Sequence, residues 1–237
     1  MNENYREAYP KTIDQGSIAE AQQTWLAKVY SWMVGGLLIT ALTMVFVYTT
    51  ELYISIISSP IFYVLIIGEL AMVFGLSAAV HKMSPTVAAV LFLGYSLLNG
   101  LTLSVIMIAY TQASIYTTFF IAAAMYAALS AFGYFSKKDL SGVGRFMFMG
   151  LIGIIIAMVV NIFIGSPAID FIVSVIGVIV FAGLTAYDTQ KIKEEYMVQT
   201  QGSEIATKSA IIGALRLYLD FINLFLFLLR LLGGSKD

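Results

Sequence analysis

The 237-residue sequence contains no cysteine and a single histidine, His81. Without a thiol, disulfides, thiolate nucleophiles and zinc-cysteine sites are excluded. One imidazole is too few for a histidine-ligated metal site or a triad with a second histidine, so no metal site is assigned. Charge is also scarce, at 11% of residues, where soluble domains carry about 25%. The formal net charge of -1 comes with no basic face to neutralise phosphates, which argues against nucleic-acid binding. The N-terminus lacks a short basic region followed by a brief apolar core and a small-residue cleavage site, so the first apolar segment is expected to stay in the mature chain.

What is abundant is apolar. Hydrophobic residues make up 59% of the chain and the mean hydropathy is +0.88, a composition that cannot cover a water-facing surface. Residues 1–16 are polar and bury too little to fold alone, so they read as a flexible tail. Ser17 followed by Glu20 has capping-box spacing and predicts a helix start. Trp25, Tyr30 and Trp32 are expected near lipid headgroups. Seven apolar runs follow, at about 29–50, 58–80, 86–110, 113–135, 146–165, 169–188 and 209–232. Each has at least the roughly 20 residues needed to cross a hydrocarbon core about 30 Å thick. The break near Thr111 and Gln112 decides between seven spans and six.

Basic residues test the count, because Lys and Arg collect in cytoplasmic loops. The tail and alternate loops hold Arg6, Lys11, Lys28, Lys82, Lys137, Lys138, Arg145, Lys191, Lys193 and Lys208, while the other set holds only Arg230 and Lys236. The expected architecture is therefore an all-α integral membrane protein with seven transmembrane helices over residues 17–237. Its N-terminus is cytoplasmic and its C-terminus outside. The cytoplasmic segment of about 191–208 is the one loop long enough to serve as a partner surface.

Ionisable groups within the spans are functional candidates, since a charge at the bilayer centre costs roughly 2.5 to 3.5 kcal/mol on insertion scales. The sequence offers Glu69, Asp188, Arg216 and Asp220. In the last span Ser209, Gly213, Arg216, Asp220 and Asn223 recur at steps of four and three, which keeps them on one stripe. Such a helix needs partners, so it is expected at the centre, surrounded by the other six. Arg216 and Asp220, four apart, can also simply neutralise each other. Asp188 ends the sixth apolar run. A rise of 1.5 Å per residue leaves it roughly 10 Å from the depth of Asp220, so a contact is permitted without being required. Asn99 and Asn161 read as interhelical hydrogen-bonding residues, and Gly150, Gly153 and Ala157 as close-packing positions. His81, beside Lys82, reads equally as an interfacial residue or a sensor contact.

The segments YDTQKIK around Asp188 and LYLDFINLFLFLLRLLG from Leu217 resemble the Bax inhibitor-1 family of multi-pass membrane proteins. So do KKDLSGVGRFMFMGLIG from Lys137, NIF from Asn161 and NGLTLS from Asn99. The resemblance implies six spans around a central seventh and, in some bacterial members, a pH-dependent calcium leak governed by two facing aspartates. Asp188 and Asp220 match those positions and would titrate as a coupled pair. Acidic lining would favour a cation over an anion, with Glu69 and Asn223 as further candidates for the ion pathway. One member with such a pair carries an arginine at the inner end of its second span. Here Val80, His81 and Lys82 stand there, and Arg216 replaces a small polar residue, so Arg216 is expected to supply the compensating charge. Calcium is then the permeant ion rather than a cofactor, and no enzyme activity is implied. The alternative is a membrane regulator that binds a membrane protease or another protein through residues 191–208. An intramembrane aspartyl protease is disfavoured because LYLDFINLF lacks a Gly-rich motif around its aspartate.

Overall fold

The computed structural model describes residues 15–79, 82–198, 204–234 and 236, and their regular elements are helices. In chain order these are α1 (Gln15–Thr49), α2 (Leu52–Ile57), α3 (Ile61–Ala79), α4 (Pro85–Leu103), α5 (Ile106–Ala109), α6 (Gln112–Phe135), α7 (Ser141–Ile164), α8 (Pro167–Val198) and α9 (Glu204–Leu232). Six helical stretches are long and apolar enough to cross a membrane: those of α1, α4 with α5, α6, α7, α8 and α9. The apolar part of α3 is shorter, Ile61–Leu76. The chain is an integral membrane protein, and the second expected span, 58–80, is shorter in its apolar part than the other six.

Local chemistry explains several boundaries. Ser84 caps α4 by accepting from the Val87 N–H at 3.3 Å, with Pro85 in the first turn, where its missing N–H costs nothing. The break at Thr111 is real: Tyr110 and Thr111 are extended, and the Thr111 hydroxyl accepts from Ser114 N–H to start α6. The chain's C-terminal residues complete this break. Thr111 N–H donates to the Gly234 carbonyl, Lys236 N–H donates to the Ala109 carbonyl, and the Lys236 ammonium reaches the Met107 carbonyl at 2.8 Å. At the start of α7 the Ser141 side chain, and then its backbone N–H at 2.8 Å, bond Asp139 and hold its carboxyl below the ordinary carboxylate range.

Other expectations change. The first helix starts at Gln15 rather than at Ser17, and the remainder of the expected tail, residues 1–14, lies outside the described residues. Trp25 does not face a headgroup layer: it is buried, and its indole N–H donates to the Ala206 carbonyl. The expected 191–208 loop is mostly helix, because α8 continues to Val198 and α9 begins at Glu204.

The last helix is the most covered, with 72% of its most apolar stretch buried against 11% for α7. It packs chiefly on α8, α1, α6 and α4, while α7 packs on α8 and α3 on α4. The expected ring of six is thus a ring of four with two outer helices. The reason lies in composition. The sequence of α7, FMFMGLIGIIIAMVV, is apolar all round and exposes Phe146, Phe148, Ile155, Ile156, Val159 and Phe163, which suits lipid contact, whereas α9 carries groups that need cover.

Close approach at α6 and α8 depends on Gly133, where a Cβ would collide with the backbone of Ala186. Among the small residues of α7, Gly150 faces Val180, whereas nothing lies within 4 Å of a Cβ built on Gly153. Gly153 is therefore not a close-packing position. Gly133→Ala should lower stability by about 1–3 kcal/mol, the usual cost of overpacking, whereas Gly153→Ala should leave it unchanged or raise it through helix propensity. Thermal unfolding of the purified variants in one detergent checks this, and equal midpoints for the two would contradict the packing.

Candidate functional site

The site begins with the length of α8. The run KIK after Asp188 marks the end of an apolar stretch, but the helix continues ten residues further, to Val198. Asp188 therefore lies within the bundle rather than at a helix end. Side-chain contacts hold this extension in place. The Gln190 amide accepts from Leu140 N–H at 2.8 Å and donates to the Lys138 carbonyl at 2.9 Å, tying α8 to the α6–α7 connection. Lys193 donates to the Tyr134 carbonyl at 2.8 Å with its ammonium over the Tyr134 ring, and Gln22 of α1 donates to the Lys193 carbonyl.

Opposite this stretch runs α9, antiparallel. Asp188 of α8 and Asp220 of α9 face each other within the bundle, close enough for each to bear on the other electrostatically. Asp220 is 4% exposed, and its Oδ2 receives no hydrogen bond from a donor among the described residues. An ionised carboxylate only accepts, so two carboxyls can share a hydrogen bond only when one carries a proton. Two acids thus face each other from neighbouring helices, and a hydrogen bond between them requires one proton.

Arg216 is not spent on Asp220 alone. Its guanidinium donates to Glu195 Oε1 at 2.8 Å, an ion pair between α9 and the extension of α8. It also lies within electrostatic reach of both aspartates. Glu195 went unnoticed in the sequence because it falls beyond the apolar run. Its place seven residues after Asp188, two turns along the same helix face, is the signal that a longer helix would have exposed. Tyr126 of α6 borders the pair from a third side. Its hydroxyl donates to the Leu217 carbonyl at 3.2 Å, and its ring packs edge-on against Phe221. Tyr30 and Thr189 join α1 to α8 through their hydroxyls at 3.3 Å.

The polar stripe read from the sequence divides. Gly213 and Asp220 are buried, while Arg216 and Asn223 are half-buried and share a less covered face with Ile212, Leu219 and Leu226. Asn223 donates to its own helix at the Leu219 carbonyl, 2.8 Å away. Glu69 is not with the aspartates: it accepts from Thr102 at 2.7 Å, between α3 and α4. Near it, Tyr218 of α9 is fully buried and hydrogen-bonded to Thr40 at 2.7 Å, between the rings of Phe92 and Tyr95. The Asn99 amide donates to Tyr95. Asn161 ties the α7–α8 turn together, accepting from Ser166 N–H and donating to Asp170 at 2.7 Å. His81 and Val80 lie outside the described residues. Among the described residues no three His, Cys, Asp or Glu side chains are grouped as they would be to hold a metal ion.

Comparison with known proteins agrees with the motifs. The family described as "Inhibitor of apoptosis-promoting Bax1" matches residues 22–237. The chain is 48% identical over 217 residues to the inner membrane protein YbhL of Escherichia coli strain K12, covering 90% of this chain and 93% of that protein. It is 44% identical over 218 residues to a protein of Borreliella burgdorferi, covering 90% and 93%. It is 42% identical over 230 residues to a protein of Deinococcus radiodurans, covering 96% and 94%. With a match that spans nearly the whole helical bundle and relatives at this identity, the chain belongs to the Bax inhibitor-1 family.

Proposed function

We propose that this protein is a passive cation pathway in a bacterial cytoplasmic membrane, conducting calcium, whose opening responds to pH through Asp188 and Asp220. The observation that carries the reading is the contact of two carboxyls from different helices inside the bundle. The shared proton bonds α8 to α9. Its loss leaves two negative charges in contact in a poorly solvated site, and a second proton removes the charge that the bridge depends on. Either change alters the force between the helices, so pH acts on their separation. The N-terminal end of the bundle carries most of the basic residues, which orients it toward the cytoplasm. The seventh crossing is α3, with its 19 residues spanning about 28 Å at 1.5 Å per residue.

Arg216 and Glu195 set the charge balance around the pair. Glu69 and Asn223 are polar positions on α3 and α9 along the pathway, and acidic lining selects for cations. A regulator that docks a membrane protein through residues 191–208 has less support, because helix occupies most of that segment.

The deciding experiment is calcium flux into liposomes holding the purified protein, measured across pH. Wild type should show flux that varies with pH, and Asp188→Asn and Asp220→Asn should each flatten that dependence. No wild-type flux at any pH would remove the leak, while three superimposable profiles would remove the pair as its sensor.

The ion pair gives a signed prediction for the same assay. Arg216→Ser removes a positive charge near the carboxyls, makes loss of their proton harder and should move the midpoint of the profile to higher pH. Glu195→Gln should move it to lower pH. Both groups are partly exposed, so each shift should stay within about one pH unit, equivalent to about 1.4 kcal/mol. Shifts in the opposite directions would contradict the assigned charge balance.

A further inference from the structure

At the end of the bundle opposite the N-terminus of α1 lies a cavity of about 660 Å³ between α7, α8, the α5–α6 junction and the last turn of α9. Its wall holds one cation and one anion, Arg230 and Asp170, together with apolar Met158, Ile162 and Phe171. The two charges do not pair with each other: the ion pairs among the described residues are Lys191–Glu194 and Arg216–Glu195. Arg230 is exposed and its guanidinium sits over the Phe227 ring, 5.6 Å from the centroid. From this position the planar guanidinium fork can donate two parallel N–H bonds to two oxygens of a tetrahedral phosphate, an acceptor it suits. Asp170 is fixed by Asn161, which donates to its Oδ1 at 2.7 Å and is itself held by Ser166 N–H at 2.9 Å. Oδ2 of Asp170 remains open to a further donor.

We propose that this cavity binds a phospholipid with a primary-ammonium headgroup, its phosphate on Arg230 and its ammonium on Asp170. Three observations favour a lipid over a free zwitterion. The cavity opens among side chains that face the hydrocarbon, with Ile162 at 78% and Phe171 at 63% exposure. Arg230 also continues the less covered face of α9, following Leu219, Asn223 and Leu226 at steps of four, three and four. Leu226, one turn before Arg230 on this face, is half-buried and offers an acyl chain an apolar contact. Finally, Arg230 stands in the last turn of α9, the depth at which a long basic side chain reaches lipid phosphates. An ammonium with three N–H donors can bond Oδ2 of Asp170, whereas a quaternary choline nitrogen has none to offer. The site therefore distinguishes two zwitterionic lipids that differ only in methylation.

Native mass spectrometry of the full-length protein, purified in detergent and mixed with phosphatidylethanolamine, phosphatidylcholine or phosphatidylglycerol of identical chains, tests the site. Wild type should retain phosphatidylethanolamine best. Arg230→Gln should lower retention of all three by about tenfold, equivalent to about 1.4 kcal/mol. Asp170→Asn should remove the preference for ethanolamine over choline without weakening retention of phosphatidylglycerol. Ile162→Trp, at an exposed position, should fill the cavity and reduce retention while leaving both charges in place, which separates loss of the site from loss of the fold. Glycerophosphoethanolamine, which has the headgroup without chains, should compete poorly. Equal retention of phosphatidylethanolamine and phosphatidylcholine by wild type, or unchanged retention in Arg230→Gln, would overturn the proposal. Full competition by glycerophosphoethanolamine would replace the lipid with a soluble zwitterion.

Discussion

A carboxyl buried among apolar helices has few ways to persist, and Asp220 uses the least common of them: it meets another carboxyl. Among the described residues its oxygen Oδ2 has no hydrogen-bond donor, and Arg216, one turn away, pairs with Glu195. What remains is the contact with Asp188, which needs a proton to be attractive. Much of the surrounding structure follows from this need. The extension of α8 places Asp188 inside the bundle. Gln190, Lys193 and Gln22 pin that extension to the α6–α7 connection, α6 and α1, so the position of Asp188 is set by contacts outside the carboxyl pair. The central place of α9 has the same origin, because lipid on any side of Asp220 would leave it without a partner.

The helix α9 keeps its roles on separate faces. Tyr218 faces α1 and α4, where Thr40, Phe92 and Tyr95 enclose it. Asp220 faces α8, and Leu217 and Phe221 face Tyr126 of α6. The remaining face, from Ile212 to Arg230, is the one the bundle covers least. Under the proposed gating, a change at the carboxyl pair acts on one side of α9 while the aromatic cluster around Tyr218 anchors another. A hinge needs that asymmetry. A helix held equally on all sides would have nowhere to move.

The sequence showed the essentials of this arrangement because membranes impose simple rules. Run lengths, the break at Thr111 and the intramembrane charges were all legible from composition and spacing, and Asp188 and Asp220 stood out for the same reason. What was hidden depended on helix ends and neighbours. The basic run after Asp188 looks like a loop but continues as helix, and this concealed Glu195. Periodicity grouped Arg216, Asp220 and Asn223 on one stripe of about 100 degrees, yet burial within that stripe differs from residue to residue, and only packing reveals it. Nor could hydropathy distinguish α3 and α7, the outer helices, from the inner ring, since all read as apolar runs. Trp25 misled because a tryptophan near a helix start fits a headgroup layer and a buried interface equally well.

If Asp188 and Asp220 share a proton, they titrate as one unit. Infrared difference spectroscopy in the protonated-carboxyl C=O region, recorded while the reconstituted protein is titrated, reads this proton. A carboxyl band should change with pH and should be altered by replacing either aspartate with asparagine, because the band belongs to both. Two independent bands, one lost with Asp188 and the other with Asp220 and neither affected by the opposite replacement, would contradict it.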